Sequence, residues 1–219
     1  DVSSAASDVY KRQVDIDENE NNEKIKDIWV TYKKFILIGL GILLLIFFGI
    51  NYLANQKIQS NELASQLYQE VLIEKMDNLD TIKSKTSILK EDHSNTPYAG
   101  RASLHLGQLL AKTGKFENSI SELKWASENA TEISIQSLSF YSLAINFIVK
   151  EDLVNAKVSA ESIRSKGYEA LKMDLLGDIY LQEGNNIEAR KAYEQALNFY
   201  KDRSDLAQVI QTKLDAIGK

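Results

Sequence analysis

Hydrophobic residues follow two patterns along the chain: one continuous run, and a longer region where they recur at helical spacing. The run, FILIGLGILLLIFFGINYLANQ, covers residues 35–56 and contains no charged residue. As an α-helix these 22 residues would extend about 33 Å, and the hydrocarbon core of a bilayer is about 30 Å thick. We therefore predict a transmembrane helix over residues 35–56.

Two other interpretations fit this run less well. A cleaved export signal would be shorter and would end in small residues, whereas this run ends in NYLA with the bulky Tyr52 where a small residue is needed. A buried core helix would keep one polar stripe, and the run has none. The sequence favours an uncleaved membrane anchor.

The basic residues on the two sides of the run are unequal, which predicts its orientation. Near the membrane, four lysines precede it and one follows it: Lys24, Lys26, Lys33, Lys34 and Lys57. Because cytoplasmic flanks carry the excess of Lys and Arg, we expect residues 14–34 to be a short cytoplasmic arm. Residues 57–219 would then lie on the far side, which in a bacterium is the periplasm.

The residues before the anchor divide into two parts. DVSSAASDVYKRQ, residues 1–13, matches no later pattern, and we interpret it as a non-native scar translated in frame. The arm that follows ends in apolar and aromatic residues at helical spacing, which predicts a helix at the membrane interface. These residues are Ile25, Ile28, Trp29 and Tyr32.

Beyond the anchor, the segments 107–126, 144–163 and 177–196 share one pattern of small and large residues. A small residue opens each segment, a larger apolar residue follows three positions later, and another small residue comes twelve positions after the first. The three sets are Gly107, Leu110 and Ser119; Ala144, Phe147 and Ala156; and Gly177, Tyr180 and Ala189. Antiparallel helices need small residues where their axes approach most closely, so each segment predicts a helix pair.

The turns between the paired helices carry a further signal. Gly114 and Gly184 stand where the chain must reverse, and glycine readily takes positive φ after a helix C-terminus. The middle segment has Glu151 there, which weakens its turn signal. The pattern resembles the tetratricopeptide repeat, most closely in segment 177–196. We therefore predict an all-α fold, with a tetratricopeptide-like α-solenoid after the single transmembrane helix.

Helices are also predicted at both ends of this array. Segments 61–76 and 80–92 form a divergent first pair, with Ala64, Tyr68, Ile82 and Ile88 as packing residues. At the other end, Ser204 is predicted to cap a last helix that closes the stack. Its apolar stripe would consist of Leu206, Val209, Ile210, Leu214 and Ile217.

Composition excludes several classes of function. The chain has no cysteine, which rules out disulfides and thiolate metal sites, and its single proline in 219 residues indicates mostly helix. After Gln56, 20 Lys or Arg face 23 Asp or Glu, so no basic patch for nucleic acid is expected.

No catalytic constellation is apparent in the sequence. The chain has two histidines, His93 and His105. His93, next to two carboxylates, is conceivable as a metal ligand, but a solvated polar loop is the favoured interpretation. The close-set Gly39 and Gly41 lie inside the anchor, where a phosphate-binding loop is excluded. We expect a protein that is not an enzyme, with no cofactor, metal or small-molecule substrate.

The whole layout resembles the YfgM-like family of ancillary SecYEG translocon subunits. The resemblance rests on the acidic arm with ENE at 18–20, the single anchor, and the stretches NTPYAGRASLHLGQLL and SKGYEALKMDLLGDIYLQEGNNIEARKAYEQAL. It implies a scaffold of the bacterial inner membrane that associates with the SecYEG translocon and with periplasmic chaperones. The alternative is a similar scaffold in another envelope complex for secretion, assembly or division.

The resemblance to tetratricopeptide stacks also implies a protein-binding surface, because the first helix of each pair lines a concave face there. Its middle part is apolar, and it is either core or a groove for a partner segment with Tyr141 as the anchor. The transferred positions are Arg101, Leu104, Gln108 and Lys112; Tyr141, Ile145, Ile148 and Val149; and Lys172, Leu175, Asp178 and Gln182.

Overall fold

The structure is a computed structural model that describes residues 2–75, 78–200 and 204–217, with side chains described at 26, 29–75, 78–200 and 205–217. These residues form α-helices, a short 3₁₀ helix at Lys166–Tyr168, and no strand, which confirms the predicted all-α class. The α-helices are α1 (Val2–Ile73), α2 (Leu79–Asp92), α3 (Pro97–Lys112), α4 (Phe116–Asn129), α5 (Ile133–Val149), α6 (Leu153–Glu161), α7 (Glu169–Gln182), α8 (Asn186–Phe199) and α9 (Ser204–Ala216).

The chain divides into two compact units, Asp1–Lys57 and Ile58–Lys219. The first unit holds the predicted anchor. In the part of the chain that the structure describes, one helix, Trp29–Ile73, is long and apolar enough to cross a membrane. Its most apolar 18-residue stretch has a mean hydropathy of 2.5, and none of that stretch is buried in the protein. An unburied apolar helix of this length is favourable in lipid and costly in water.

The predicted interfacial helix falls only partly within the described side chains. Trp29 and Tyr32 are exposed on α1, whereas the side chains of Ile25 and Ile28 lie outside the described part, as do those of residues 1–13. The position of the arm at a membrane interface stays a prediction.

The second unit consists of helix pairs that pack as the small residues predict. A Cβ atom added to Gly107 would lie 2.7 Å from Cγ of Leu123, and one added to Gly177 would lie 2.4 Å from Cε1 of Tyr193. Ala144, which takes this place in the middle pair, is fully buried. Any larger side chain here would push the paired helices apart.

The three turns inside the pairs have one geometry. The central residue has φ of 73° at Gly114, 59° at Glu151 and 75° at Gly184. The N–H of the next residue then donates to the carbonyl oxygen five residues earlier, which belongs to the large apolar residue of the repeat. These hydrogen bonds run from Lys115 to Leu110 (2.9 Å), from Asp152 to Phe147 (2.9 Å) and from Asn185 to Tyr180 (2.8 Å). Glu151 therefore makes the glycine-type turn that its side chain disfavours.

The ends of the array correct two details of the predicted stripes. On α2 the buried residues are Ile82, Thr86 and Leu89, while Ile88 is 39% exposed, because it lies one position off the i, i+4, i+7 face. On α9 the buried face is narrower than the predicted apolar stripe: Ile210 and Leu214 are buried, but Leu206 and Val209 are exposed. Ser204 begins α9, and its side chain lies outside the described part.

Candidate protein-binding surface

Three adjoining pockets run along α3, α5 and α7, and we call them together the concave groove. The first pocket, of about 320 Å³, includes Arg101, Leu104 and His105. The middle pocket, of about 360 Å³, includes Lys112. The last pocket, of about 320 Å³, includes Ile148, Val149, Leu175, Asp178 and Gln182.

Shared side chains join the three pockets into one surface. Gln108 lines both the first and the middle pocket. Tyr141 and Ile145 line both the middle and the last pocket. The side chains predicted from α3 and α5 and most of those from α7 thus lie along a continuous depression.

The centre of the groove is apolar and open to solvent. Ile145 is 38% exposed and Val149 is 55% exposed, while Tyr141 and Ile148 are half-buried against the helices beneath. Leu104 and Leu175 are buried and form part of the floor. The apolar set is therefore divided between packing residues and residues available to a partner.

Lys172 does not line any of the three pockets. It lies in the first turn of α7, where its Nζ donates to the carbonyl oxygen of Ile163 at 3.3 Å. That carbonyl follows the end of α6, where peptide oxygens lack partners within a helix and attract basic side chains. A place for Lys172 on the binding surface stays a prediction.

Arg101, at the first pocket, is paired with a carboxylate. Its Nε and one terminal nitrogen each donate to an oxygen of Glu132 at 2.7 Å. The hydrogen bond with Glu132 raises the pKa of Arg101. Such a two-pronged pair holds both side chains in one geometry, so Arg101 brings little free positive charge to the groove.

Asp178, at the last pocket, belongs to a cluster that joins α7, α8 and α9. Its carboxylate accepts a hydrogen bond from the Tyr193 hydroxyl at 2.7 Å and from Lys213 Nζ at 2.8 and 2.9 Å. Lys213 also donates to Asp174 at 2.6 Å. Burial raises the pKa of Asp174 despite this lysine, whereas for Lys213 the two carboxylates outweigh burial and raise its pKa.

Lys112 is the exception among the cations of the groove. It is exposed in the last turn of α3, and among the described residues no carboxylate oxygen lies within 4 Å of its ammonium. Its positive field reaches His105: burial lowers the pKa of His105, and the charge of Lys112 lowers it further. The middle pocket thus has an uncompensated positive charge at its edge.

The family of the chain follows from a comparison with known domains. Residues 26–219 match the family model described as a tetratricopeptide repeat-like domain. The chain belongs to this tetratricopeptide repeat-like family. Because the match covers most of the chain, it includes the predicted anchor together with every helix pair that builds the groove.

Relatives of this tetratricopeptide repeat-like protein share one name, Ancillary SecYEG translocon subunit. The chain is 26% identical to the protein of Aggregatibacter actinomycetemcomitans over 83% of this chain and 89% of the relative. It is 22% identical to that of Neisseria gonorrhoeae and 25% identical to that of Escherichia coli, each over 92% of this chain and 98% of the relative. The resemblance predicted from the sequence is confirmed.

Some residues of the groove escaped the sequence prediction. The first pocket also includes Tyr68, His105 and Ile135, and the middle pocket includes Leu138. Leu138 stands three residues before Tyr141 on α5, so helical spacing from that anchor identifies it. Tyr68 comes from α1, and no local spacing links it to α3.

In the part of this tetratricopeptide repeat-like chain that the structure describes, no group of three His, Asp or Glu side chains converges around either histidine. His93 directly follows α2, and its Nδ1 lies 2.9 Å from Oγ of Ser60 on α1. The residue is half-buried. It therefore links two elements of the second unit, which differs from the solvated loop expected from the sequence.

Proposed function

We propose that the chain is a membrane-tethered, non-catalytic scaffold: an ancillary subunit of the SecYEG translocon that links emerging polypeptides to periplasmic chaperones. The shared name of the relatives, which match over most of both lengths, supports the translocon association. Helical repeats of this family place side chains for recognising other proteins, and the concave groove is the surface suited to that task.

The observation that carries this proposal is the exposed apolar centre of the groove. Ile145 and Val149 remain open to solvent beside Tyr141 and line the groove, whereas an exposed apolar residue such as Val154 lies outside the three pockets. Exposed apolar patches framed by polar residues are typical of protein-binding sites. Tyr141 has the properties of an anchor, because its ring is apolar and its hydroxyl can stay hydrated.

We further propose that the scaffold lies in the bacterial inner membrane, with residues 14–34 in the cytoplasm and the repeat unit in the periplasm. The lysine excess before the anchor supports this orientation. In that arrangement the groove is on the side where translocated polypeptides emerge and where chaperones receive them.

Native pull-down of the full chain from mildly solubilised bacterial membranes tests the proposal. We expect translocon subunits and periplasmic chaperones to co-purify with the wild type. The double substitution Tyr141→Ala and Ile145→Ser should reduce the captured chaperones while the melting temperature stays within a few degrees. The matched control is Val154→Ser, at an apolar residue that is 74% exposed on α6 and lines none of the three pockets.

Two outcomes contradict parts of this proposal. Capture of a different envelope complex without translocon subunits supports the alternative scaffold for secretion, assembly or division. A collapsed melting temperature in the double variant shows that Tyr141 and Ile145 are core, and the partner then binds elsewhere on the chain.

A further inference from the structure

The charges along the concave groove are compensated unevenly. At the first pocket Arg101 is matched by Glu132. Asp178 lines the last pocket, and the single Lys213 pairs with both Asp178 and the neighbouring Asp174, which leaves this cluster with a negative excess. Lys112 lies between the two clusters, with no ion-pair partner among the described residues.

The middle pocket combines this free cation with an apolar interior. Leu138, Tyr141 and Ile145 line it, and the described residues contribute no carboxylate to its wall. Its two amide side chains are engaged in the protein: the Gln108 amide nitrogen donates to the Ser142 hydroxyl at 3.3 Å, and that of Asn146 donates to the Ser119 hydroxyl at 2.6 Å. The Lys112 ammonium is therefore the charged group that a ligand in this pocket meets.

We propose that the middle pocket selects a protein segment in which a large apolar side chain stands next to a carboxylate. The apolar side chain packs between Tyr141 and Ile145, and the carboxylate pairs with Lys112. This inference rests on the proposed function of the groove as a protein-binding surface, and it adds which segments the groove prefers.

Charge complementarity also determines which residues of the bound segment lie at which pocket. An acidic residue is attracted at Lys112 and repelled by the excess carboxylate at the last pocket, about Asp174 and Asp178. A segment fits both regions of the groove when its acidic residue lies at Lys112 and the residues that reach the last pocket are neutral or basic. The apolar lining makes this site unlike one for a free anion, which would present several hydrogen-bond donors instead.

Three labelled peptides that differ only in charge test this preference against the full chain in nanodiscs of zwitterionic lipid. The probes are Ac-GSLEELFSG-amide, Ac-GSLQQLFSG-amide and Ac-GSLKKLFSG-amide, and the readout is fluorescence anisotropy. We expect the glutamate probe to bind about two- to fivefold more tightly than the glutamine probe, as for an exposed ion pair, and the lysine probe to bind most weakly. The differences should shrink when salt rises from about 50 mM to about 500 mM.

The substitution Lys112→Glu reverses the order of the glutamate and lysine probes, because it replaces the free cation with an anion. The matched control Lys124→Glu makes the same charge change on the exposed face of α4, outside the three pockets. It should leave the order unchanged. Ile145→Ser should weaken all three probes alike, since it removes the apolar contact that they share.

The inference is overturned if the wild type binds the three probes equally, binds none of them, or keeps its order in Lys112→Glu. Equal binding that Ile145→Ser abolishes would still leave the groove as a protein-binding surface. The translocon association is judged separately by co-purification, so the two failures are distinguishable.

Discussion

Among the described residues, Glu151 is the non-glycine residue with a left-handed backbone conformation, and its φ is 59°. A side chain with a Cβ atom pays about 1–2 kcal/mol in that conformation. The turn nevertheless forms, because Asp152 donates its N–H to Phe147 and caps α6 by accepting from the N–H of Asn155. Local strain is therefore held in place by the hydrogen bonds around it.

We expect Glu151→Gly to stabilise the repeat unit by roughly 0.5 to 1 kcal/mol. It removes the backbone strain but gives the unfolded chain more freedom, which offsets part of the gain. Chemical denaturation of the second unit in the full chain measures the change. Glu151→Ala is the control, because it removes the carboxylate but keeps the Cβ atom, and a similar gain from it would show that the charge was responsible.

His105 makes the stability of the repeat unit depend on pH. Burial and the charge of Lys112 lower its pKa below the ordinary 6.5. A folded-state pKa below the unfolded value means that folding favours the neutral ring. The stability that this group contributes is complete above about pH 6.5 and falls as pH decreases through the folded-state pKa.

The variant His105→Gln should therefore lose less stability than the wild type when pH is lowered from 8 to 5. The measurement is the free energy of unfolding at several pH values in one buffer series. The slope should differ most below about pH 6.5. Parallel curves for the two proteins would show that His105 does not couple folding to pH.

At the scale of single elements, the close contact inside each helix pair can be tested at Ala189, which is fully buried on α8. We expect Ala189→Leu to destabilise the unit by roughly 1–3 kcal/mol, because the larger side chain separates α7 from α8. Thermal denaturation of the variant and the wild type measures this loss of stability. Gln195→Leu adds the same side chain on the exposed face of α8, and it should change stability far less.

The last helix depends on a charge cluster as well as on its apolar face. Replacing Lys213 with methionine leaves Asp174 and Asp178 close together and partly buried without their shared cation. We expect a loss of roughly 1–3 kcal/mol. Hydrogen exchange should show faster opening of α9 than of α5. Lys191→Met removes an exposed ion pair with Glu188 and should cost less than about 0.5 kcal/mol.

Sequence spacing predicted the helix pairs well because each pair is held by contacts between residues only a few turns apart. Gly107 and Ser119, for example, are twelve positions apart, and their spacing predicted that they meet. The Ser119 hydroxyl donates to the Gly107 carbonyl oxygen at 2.7 Å. The sequence predicted charged residues for the groove but not the ion pairs that neutralise some of these charges, since the pairs join residues more than 30 positions apart. The exposed Leu206 and Val209 show a similar limit: an apolar stripe does not reveal how wide a face its neighbours cover.

At the scale of the whole chain, the lysine asymmetry predicts which part of the protein an external protease reaches. Protease added to spheroplasts should degrade residues 58–219 and leave the N-terminal arm protected, because four lysines precede the anchor and one closely follows it. Antibodies against tags at each end identify the surviving fragment. Protection of the repeat unit would contradict both the orientation and the proposed translocon role. Adding lysines after Gln56 should begin to invert the insertion.

The shared turn also constrains how chains of this family change length during evolution. In each of the three pairs α3–α4, α5–α6 and α7–α8, the large apolar residue packs the two helices and also supplies the carbonyl that closes the turn, so an inserted residue inside such a pair would disrupt both roles. The connections between pairs have no such double role. From position 119 to 144 the chain uses four more residues than from 156 to 177, while the step inside each pair remains twelve. Insertions and deletions should therefore accumulate in the connections between pairs. Such changes leave the order in which α3, α5 and α7 line the groove unchanged.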